Sequence, residues 1–140
     1  MTTVVTHNEQ ETMALGERVA ALCTAGTVVA FFGGLGMGKT AFVRGMAKVL
    51  SPAAQVSSPT FALVNDYGGN PPLVHFDMYR ITDWNDLYTT GFFEYQEQGA
   101  ILAVEWSENI EGALDDDAVR ITFTRLSETE REITVEGVSL

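Results

Sequence analysis

The chain has 140 residues, 46% of them apolar, so it is long enough for one domain with its own core and too short for two. Nineteen acidic residues against eight basic ones give a formal net charge of −11, which disfavours autonomous binding to nucleic acid. The single cysteine, Cys23, excludes an internal disulfide and is expected to be a buried thiol. No apolar run reaches the roughly 20 residues of a membrane span and no secretory signal is evident, so we expect a cytoplasmic protein with a single domain over residues 1–140.

The first half of the chain predicts two helices separated by a strand. Apolar residues recur at helical spacing over 9–23, and Gly26 is expected to cap this helix in the left-handed conformation. The run TVVAFF at 27–32 is short, apolar and β-branched, which is typical of a strand buried on both faces. A second helix is predicted over 39–50 and ends at Ser51-Pro52.

The second half of the chain predicts mostly strands. Residues 61–67 and 73–79 read as a hairpin with a loose loop, and 83–95 as a helix broken at Gly91. Another buried strand is predicted over 100–106, and the alternating segments 119–123 and 133–138 are expected to form a hairpin at the sheet edge. Together the elements predict an α/β domain with a mixed β-sheet flanked by helices.

The glycine-rich segment between the first strand and the second helix matches the phosphate-loop pattern G-x-x-x-x-G-K-[ST]. Its eight residues are Gly33, Gly34, Leu35, Gly36, Met37, Gly38, Lys39 and Thr40. The glycines let successive N–H groups point at phosphate oxygens, the lysine supplies a cation, and the threonine hydroxyl is suited to ligate Mg²⁺. A buried strand before the motif and a helix after it are the context that the motif requires. The sequence therefore predicts a P-loop NTPase fold with a nucleotide bound at 33–40.

Two of the predicted strands end in an acid, as expected of carboxylates near a bound Mg²⁺. Asp77 ends LVHFD and Glu105 ends ILAVE, and we expect both to surround the metal, one of them also orienting the attacking water. Thr60, in the connection after the second helix, is expected near the γ-phosphate. For Arg80, contact with the phosphates and pairing with a surface acid are equally compatible with the sequence. His75 shares the face of Asp77 and is expected to be packed or hydrogen-bonded.

These motifs together resemble the TsaE (YjeE) family of small bacterial ATPases in tRNA modification. The resemblance covers roughly residues 8–110 and depends on the blocks GGLGMGKT, SPTF at 58–61, HFDMYR at 75–80 and VEW at 104–106. The phosphate loop is generic, whereas the other three blocks are specific to the family. Gly34 and Met37 stand where the family often has Asp and Ala, and we expect little loss of binding from this difference.

The resemblance implies a role in making the threonylcarbamoyl group on adenosine beside the anticodon of tRNA. Family members bind the TsaD–TsaB pair and hydrolyse ATP to ADP, which resets the complex between turnovers. By the same resemblance, residues 33–40 would bind ATP, Thr40 and Glu105 would hold Mg²⁺, and Thr60 and Asp77 would lie around the γ-phosphate and the metal. We expect weak ATPase activity from the protein alone and higher activity with these partners.

Two other functions are compatible with a phosphate loop. A small P-loop kinase needs lid arginines, but the six arginines of this chain are not clustered, and a GTPase is disfavoured because Asn-Lys-x-Asp is absent. A nucleotide-sensing interaction module without turnover fits the acidic composition almost as well as an ATPase does.

Overall fold

A computed structural model describes residues 1–34, 38–60 and 63–140 of the chain. The strands are β1 (Thr2–Thr6), β2 (Val28–Phe32), β3 (Val64–Gly69), β4 (Pro72–Asp77), β5 (Ile101–Glu105), β6 (Val119–Arg125) and β7 (Arg131–Glu136). The helices are α1 (Glu9–Leu22), α2 (Lys39–Leu50), α3 (Trp84–Thr89) and α4 (Phe92–Glu97), and a 3-10 segment spans Ser107–Ala113. None of the helices in these described parts has the length and apolar character needed to cross a membrane.

The strands form one mixed sheet in the order β1-β7-β6-β2-β5-β4-β3. Strands β4, β5, β2 and β6 run parallel to one another, while β3, β7 and β1 pair antiparallel with their neighbours. The predicted α/β architecture with a mixed sheet flanked by helices is therefore confirmed. Because the central strands are parallel, their carboxyl ends lie along one edge of the sheet, where ligands of such folds bind.

Helices cover both faces of the central sheet and bury two separate cores. The first core joins α1 and α2 to one face, and the second joins α3, α4 and the 3-10 segment to the other. In the first core, Phe31, Phe42 and Phe123 meet edge to face with centroids 5.4–5.8 Å apart. This aromatic cluster fixes α2 against β2 and β6, and so fixes the start of α2 next to the end of β2.

Glycines allow α1 and α2 to pack at very short range. A Cβ placed on Gly45 would overlap the carbonyl oxygen of Met13, and one on Gly16 would overlap that of Phe42. Both overlaps are with backbone, so an alanine at either position would push the helices apart. The close packing holds the N-terminus of α1 beside the N-terminus of α2, which brings Asn8 and Thr12 to the cleft described below.

The N-terminal strand β1 was not predicted from the sequence, and its presence makes the predicted position of the last hairpin, at the sheet edge, wrong. The hairpin of β6 and β7 lies inside the sheet, because β6 pairs with β2 and β7 pairs with β1. Residues 2–6 carry three threonines and only two valines, with the valines partly exposed, so their alternation gives a weak apolar signal. An edge strand pairs with a neighbour on one side only and is often partly exposed, so its sequence gives a weaker apolar pattern than that of a central strand.

Several boundaries differ from the predictions for identifiable reasons. Cys23, not Gly26, is the C-cap of α1, and Gly26 has its predicted positive φ (+85°) in the following turn. Gly91, with φ +82°, separates α3 from α4, so the predicted break is confirmed. The β3–β4 loop is tight, since only Asn70 and Pro71 lie between the strands. The beginning of the predicted strand 61–67 lies partly outside the described residues.

The single cysteine lies at the end of α1, partly buried against the first core. Its Sγ–H donates to the Val19 carbonyl over 3.3 Å, and burial raises the pKa of Cys23 to about 11. A thiol with such a pKa carries almost no thiolate at neutral pH, so it is unreactive. Cys23 was expected to be a buried thiol, and the structure shows it partly buried.

Candidate functional site

A cleft of about 480 Å³ opens at the carboxyl ends of β2, β4 and β5. Most of the side chains predicted from the sequence to form the site are among the residues that line it. The lining consists of Asn8, Glu9, Thr12, Gly34, Gly38, Lys39, Thr40, Ala41, Arg44, Ser58, Thr60, Asp77, Glu105, Trp106, Glu128, Thr129 and Arg131. The fold therefore collects residues from six separate segments of the chain into one concave surface.

The described residues of the phosphate-loop motif lie between the end of β2 and the first turn of α2. Gly33 and Gly38 have φ of +124° and +93°, values that favour glycine, and Gly38 is the N-cap of α2 without a side-chain cap. The first N–H groups of α2 are therefore left for an anion rather than for a capping side chain. The predicted contacts of Leu35, Gly36 and Met37 fall outside the described residues.

Lys39 is buried at the base of the cleft, with 6% of its surface exposed. Its Nζ donates to the carbonyl of Gly33 over 2.5 Å and lies 5.4 Å from the centroid of the Trp106 ring. Burial lowers the pKa of the lysine, while the nearby carboxylates of Glu105, Glu108 and Asp77 act in the opposite direction. The ammonium group of Lys39 is therefore held at the cleft, whose lining also includes Gly34 and Gly38.

Asp77 and Glu105 are direct register partners at the ends of the parallel strands β4 and β5. They are nearly buried, with exposed fractions of 3% and 9%. Asp77 Oδ1 accepts the N–H of Tyr79 over 2.9 Å, and Oε2 of Glu105 lies 2.5 Å from Nε2 of His75. Each carboxylate therefore has one stabilising partner and one further oxygen for another contact.

The connection after α2 supplies another part of the cleft lining. Ser58 and Thr60 line it, and their hydroxyl oxygens are 2.7 Å apart. Arg80 donates from Nη2 to the carbonyl of Thr60 over 3.1 Å, a contact that the sequence did not suggest. The arginine thus supports the segment that carries Thr60.

Trp106 turns the chain immediately after Glu105. Its backbone adopts φ +58°, a strained value for a residue that is not glycine, and its ring packs against Tyr79 at 5.1 Å. This turn directs the 3-10 segment towards the loop, where Glu108 accepts the N–H of Gly33 over 3.1 Å. Sequence reasoning missed Glu108, whose only signal is its position three residues after a site acid.

A further part of the cleft lining was also missed from the sequence. It is formed by the start of α1, the exposed side of α2 and the turn between β6 and β7, which contribute Asn8, Glu9, Thr12, Arg44, Glu128, Thr129 and Arg131. The side chains of Thr12 and Arg131 lie 3.8 Å from the position of a Cβ on Gly38, so they flank the loop. The turn between β6 and β7 therefore also borders the cleft.

The oxygen donors of Thr40, Asp77 and Glu105 suit Mg²⁺ better than they suit a metal whose ligands all come from the protein. No group of three or more His, Cys, Asp or Glu side chains able to hold a metal occurs in the described ranges. Two strand-end carboxylates and the hydroxyl of Thr40 do line the cleft. Mg²⁺ commonly takes one or two carboxylates together with phosphate oxygens and water, so this small donor set fits it once a nucleotide is present.

Comparisons with known proteins agree with these features. The family model described as "Threonylcarbamoyl adenosine biosynthesis protein TsaE" matches residues 6–133. The proteins named tRNA threonylcarbamoyladenosine biosynthesis protein TsaE from Bacillus subtilis and Treponema pallidum are 37% and 35% identical. The matches cover 95% and 94% of this chain and 84% and 97% of those proteins.

A solved structure extends the comparison to the fold. The crystal structure of YdiB from Bacillus subtilis superposes with a TM-score of 0.77 at 32% identity, covering 96% of this chain and 83% of that one. The family match spans the phosphate loop, the strand-end acids and the β6–β7 turn. The chain belongs to the TsaE family, as the resemblance of its sequence motifs predicted.

Proposed function

We propose that this protein is a Mg²⁺-dependent ATPase of tRNA threonylcarbamoyladenosine synthesis, weakly active alone and stimulated by TsaD and TsaB partners. The observation that carries the proposal is the meeting of Lys39, Asp77 and Glu105 in one cleft at the carboxyl edge of the sheet. A phosphate loop without acids would support nucleotide binding alone. Two nearly buried carboxylates beside the loop lysine supply the groups that phosphoryl transfer also needs.

Binding of the triphosphate follows from groups of the chain itself. The N–H groups at the start of α2 and in the glycine loop hold phosphate oxygens, and the dipole of α2 adds to their attraction. Lys39 exchanges its bond to the Gly33 carbonyl for the β- and γ-phosphates. That exchange replaces a neutral acceptor with a charged one and so favours the bound state.

Hydrolysis in this proposal also requires the two strand-end acids of the cleft, Asp77 and Glu105. Thr40 and Glu105, with Asp77 directly or through water, would hold Mg²⁺, which neutralises charge that develops on the phosphate oxygens. Asp77 or Glu105 accepts a proton from the attacking water or orients it. Thr60, which also lines the cleft, contacts the γ-phosphate region and responds to its presence.

The names of the relatives support a place in threonylcarbamoyladenosine synthesis, and the family resemblance supplies the TsaD–TsaB pair as partners. A net charge of −11 makes direct docking on tRNA unfavourable, so a protein partner is the better candidate for the target of the ATPase cycle. Hydrolysis then changes the affinity of the protein for this partner.

The direct test measures ATP hydrolysis by the purified chain, alone and with TsaD–TsaB, with and without Mg²⁺. We expect slow turnover alone, a clear rise with the partners and loss of turnover with EDTA. Binding without turnover under every condition would favour a nucleotide-sensing module. Phosphate transfer to a small acceptor would instead indicate a kinase.

The nucleotide site itself is tested by replacing Lys39 with Ala. We expect nucleotide binding to fall at least about 100-fold, because the phosphates lose their buried cation. Calorimetric titration with ADP in the presence of Mg²⁺ measures the effect. Lys48→Ala is the matched control, since Lys48 is the only other lysine of the chain and lies exposed on the same helix. Equal binding by both variants would contradict the site.

A further inference from the structure

A line of hydrogen-bonding groups connects two parts of the cleft lining, the segment that carries Ser58 and Thr60 and the carboxylate of Glu105. The backbone N–H of Ser57 donates to the hydroxyl of Tyr67 over 3.3 Å, and the Ser57 carbonyl lies 2.8 Å from the same hydroxyl. That hydroxyl is 3.1 Å from Nδ1 of His75, whose Nε2 is 2.5 Å from Oε2 of Glu105. The segment that leads into Thr60 is thereby connected to the carboxylate of Glu105.

The strand pairing explains why His75 reaches Glu105. His75 lies opposite Ala103 in the β4–β5 register, and Glu105 is the next residue on the same face of β5. The small side chain of Ala103 leaves room for the imidazole to lean along the strand towards the carboxylate. His75 is fully buried, so both of its ring nitrogens need partners, and both have one.

The Tyr67 hydroxyl has a single proton, and it donates that proton to the Ser57 carbonyl 2.8 Å away, which can only accept. The hydroxyl oxygen in turn accepts from the N–H of Ser57 and from Nδ1 of His75. The Ser57 carbonyl also accepts from Nδ2 of Asn65 over 3.3 Å. One proton between Nε2 of His75 and Oε2 of Glu105 completes the line. Oε2 of Glu105 is then held in place, and ligation in the cleft is left to Oε1.

We infer that Tyr67 and His75 are positioning residues that orient Glu105 and couple it to the segment carrying Ser58 and Thr60. The inference deepens the proposed function and rests on it, because Glu105 has a role to be oriented for only if the cleft binds nucleotide and metal. His75 is buried, so it acts on the nucleotide through Glu105. Groups that orient metal ligands in this way commonly set metal affinity.

Tyr67→Phe removes one hydroxyl and leaves the ring in place. Tyr95→Phe is the matched control, because Tyr95 is also partly buried but packs against Phe76 on the opposite face of β4. Both variants are made in a Trp84→Phe background, where Trp106 is the only tryptophan and reports on the site from beside Glu105. ADP is titrated with and without Mg²⁺, and ATP turnover is measured in parallel.

For Tyr67→Phe we expect the Mg²⁺ concentration at half-maximal fluorescence response to rise about 10-fold and kcat to fall by a similar factor. Affinity for ADP without Mg²⁺ and KM for ATP at saturating Mg²⁺ should stay within about twofold, since the phosphate loop is unchanged. His75→Gln, which keeps a donor for Glu105, should retain more Mg²⁺ affinity than His75→Leu. Tyr95→Phe should match the background protein.

The outcomes separate this inference from the proposed function. A Mg²⁺ requirement of Tyr67→Phe equal to that of Tyr95→Phe would overturn the positioning role, as would an equal loss of ADP binding with and without Mg²⁺. If the background protein binds Mg²⁺–ADP but does not hydrolyse ATP, the ATPase proposal fails while the fluorescence comparison still decides the inference. If it binds no nucleotide, both are wrong.

Discussion

The two faces of β4 and β5 belong to the same pair of strands but differ in the residues at the carboxyl ends of those strands. On the face towards α3 and α4, the strands are apolar throughout, with Val74, Phe76, Leu102 and Val104 all fully buried. On the face towards α1 and α2, the strands begin apolar, with Leu73, Ile101 and Ala103, and end in His75, Asp77 and Glu105. The first face serves packing alone, whereas the second combines packing with a buried polar cluster.

The difference indicates where stability and activity reside in the sheet. Buried polar groups cost free energy unless they are hydrogen-bonded, and here His75, Asp77 and Glu105 each have a hydrogen-bond partner. Such a cluster adds little net stability compared with apolar packing of the same volume. Substitutions on the two faces should therefore have separable effects, on the free energy of unfolding for one and on turnover for the other.

The largest expected effect on stability is that of Leu102→Ala on the apolar face. Loss of buried methyl groups and the cavity left behind should lower the free energy of unfolding by about 2–5 kcal/mol, as measured by urea denaturation. Leu22→Ala is the control, because Leu22 is 45% exposed and its truncation should change stability by about 0.5 kcal/mol or less. Folded Leu102→Ala should still bind ADP, and a loss of binding comparable to that of Lys39→Ala would refute the separation.

The sequence predicted the apolar face more completely than the polar one. Continuous apolar runs such as ILAV mark a strand buried on both sides, and an acid directly after such a run marks its functional end. The contacts that support the site join distant segments, so the sequence pattern did not predict the contact of Glu108 with Gly33 or of Tyr67 with His75. Strand β1 was missed for a different reason, because its buried residue Thr6 is polar while the apolar Val5 is exposed, so its sequence gives no clear alternation.

Glu105→Gln should affect turnover strongly and stability little. Glutamine keeps an oxygen that accepts from Nε2 of His75, so the free energy of unfolding should change by no more than about 1 kcal/mol. The loss of charge beside the phosphates should lower kcat about 100-fold, equivalent to about 2.7 kcal/mol of activation free energy. Steady-state ATPase assays and urea denaturation measure the two effects, and Glu111→Gln, at an exposed ion pair with Arg120, is the control.

For Glu105→Gln, a stability loss as large as that of Leu102→Ala would show that the polar cluster contributes to folding as much as the apolar face does. Unchanged turnover with full stability would instead remove Glu105 from the catalytic proposal. Either result would end the separation of the two faces, and each is visible in the same pair of measurements.

The smallest expected effect is that of Arg80→Ala, which tests how far the polar cluster extends. Arg80 is exposed and donates to the carbonyl of Thr60, so its loss should cost about 0.5 kcal/mol of stability or less. If the arginine supports the Thr60 segment without touching phosphate, ATP turnover should fall by no more than about threefold. A fall of about 100-fold in kcat with unchanged stability would place Arg80 on the phosphates, because a guanidinium that stabilises transferring phosphate has an effect of that size or larger. Comparing kcat of Arg80→Ala with that of Arg80→Lys then separates loss of charge from loss of the Thr60 contact, since lysine keeps the charge but not the guanidinium geometry.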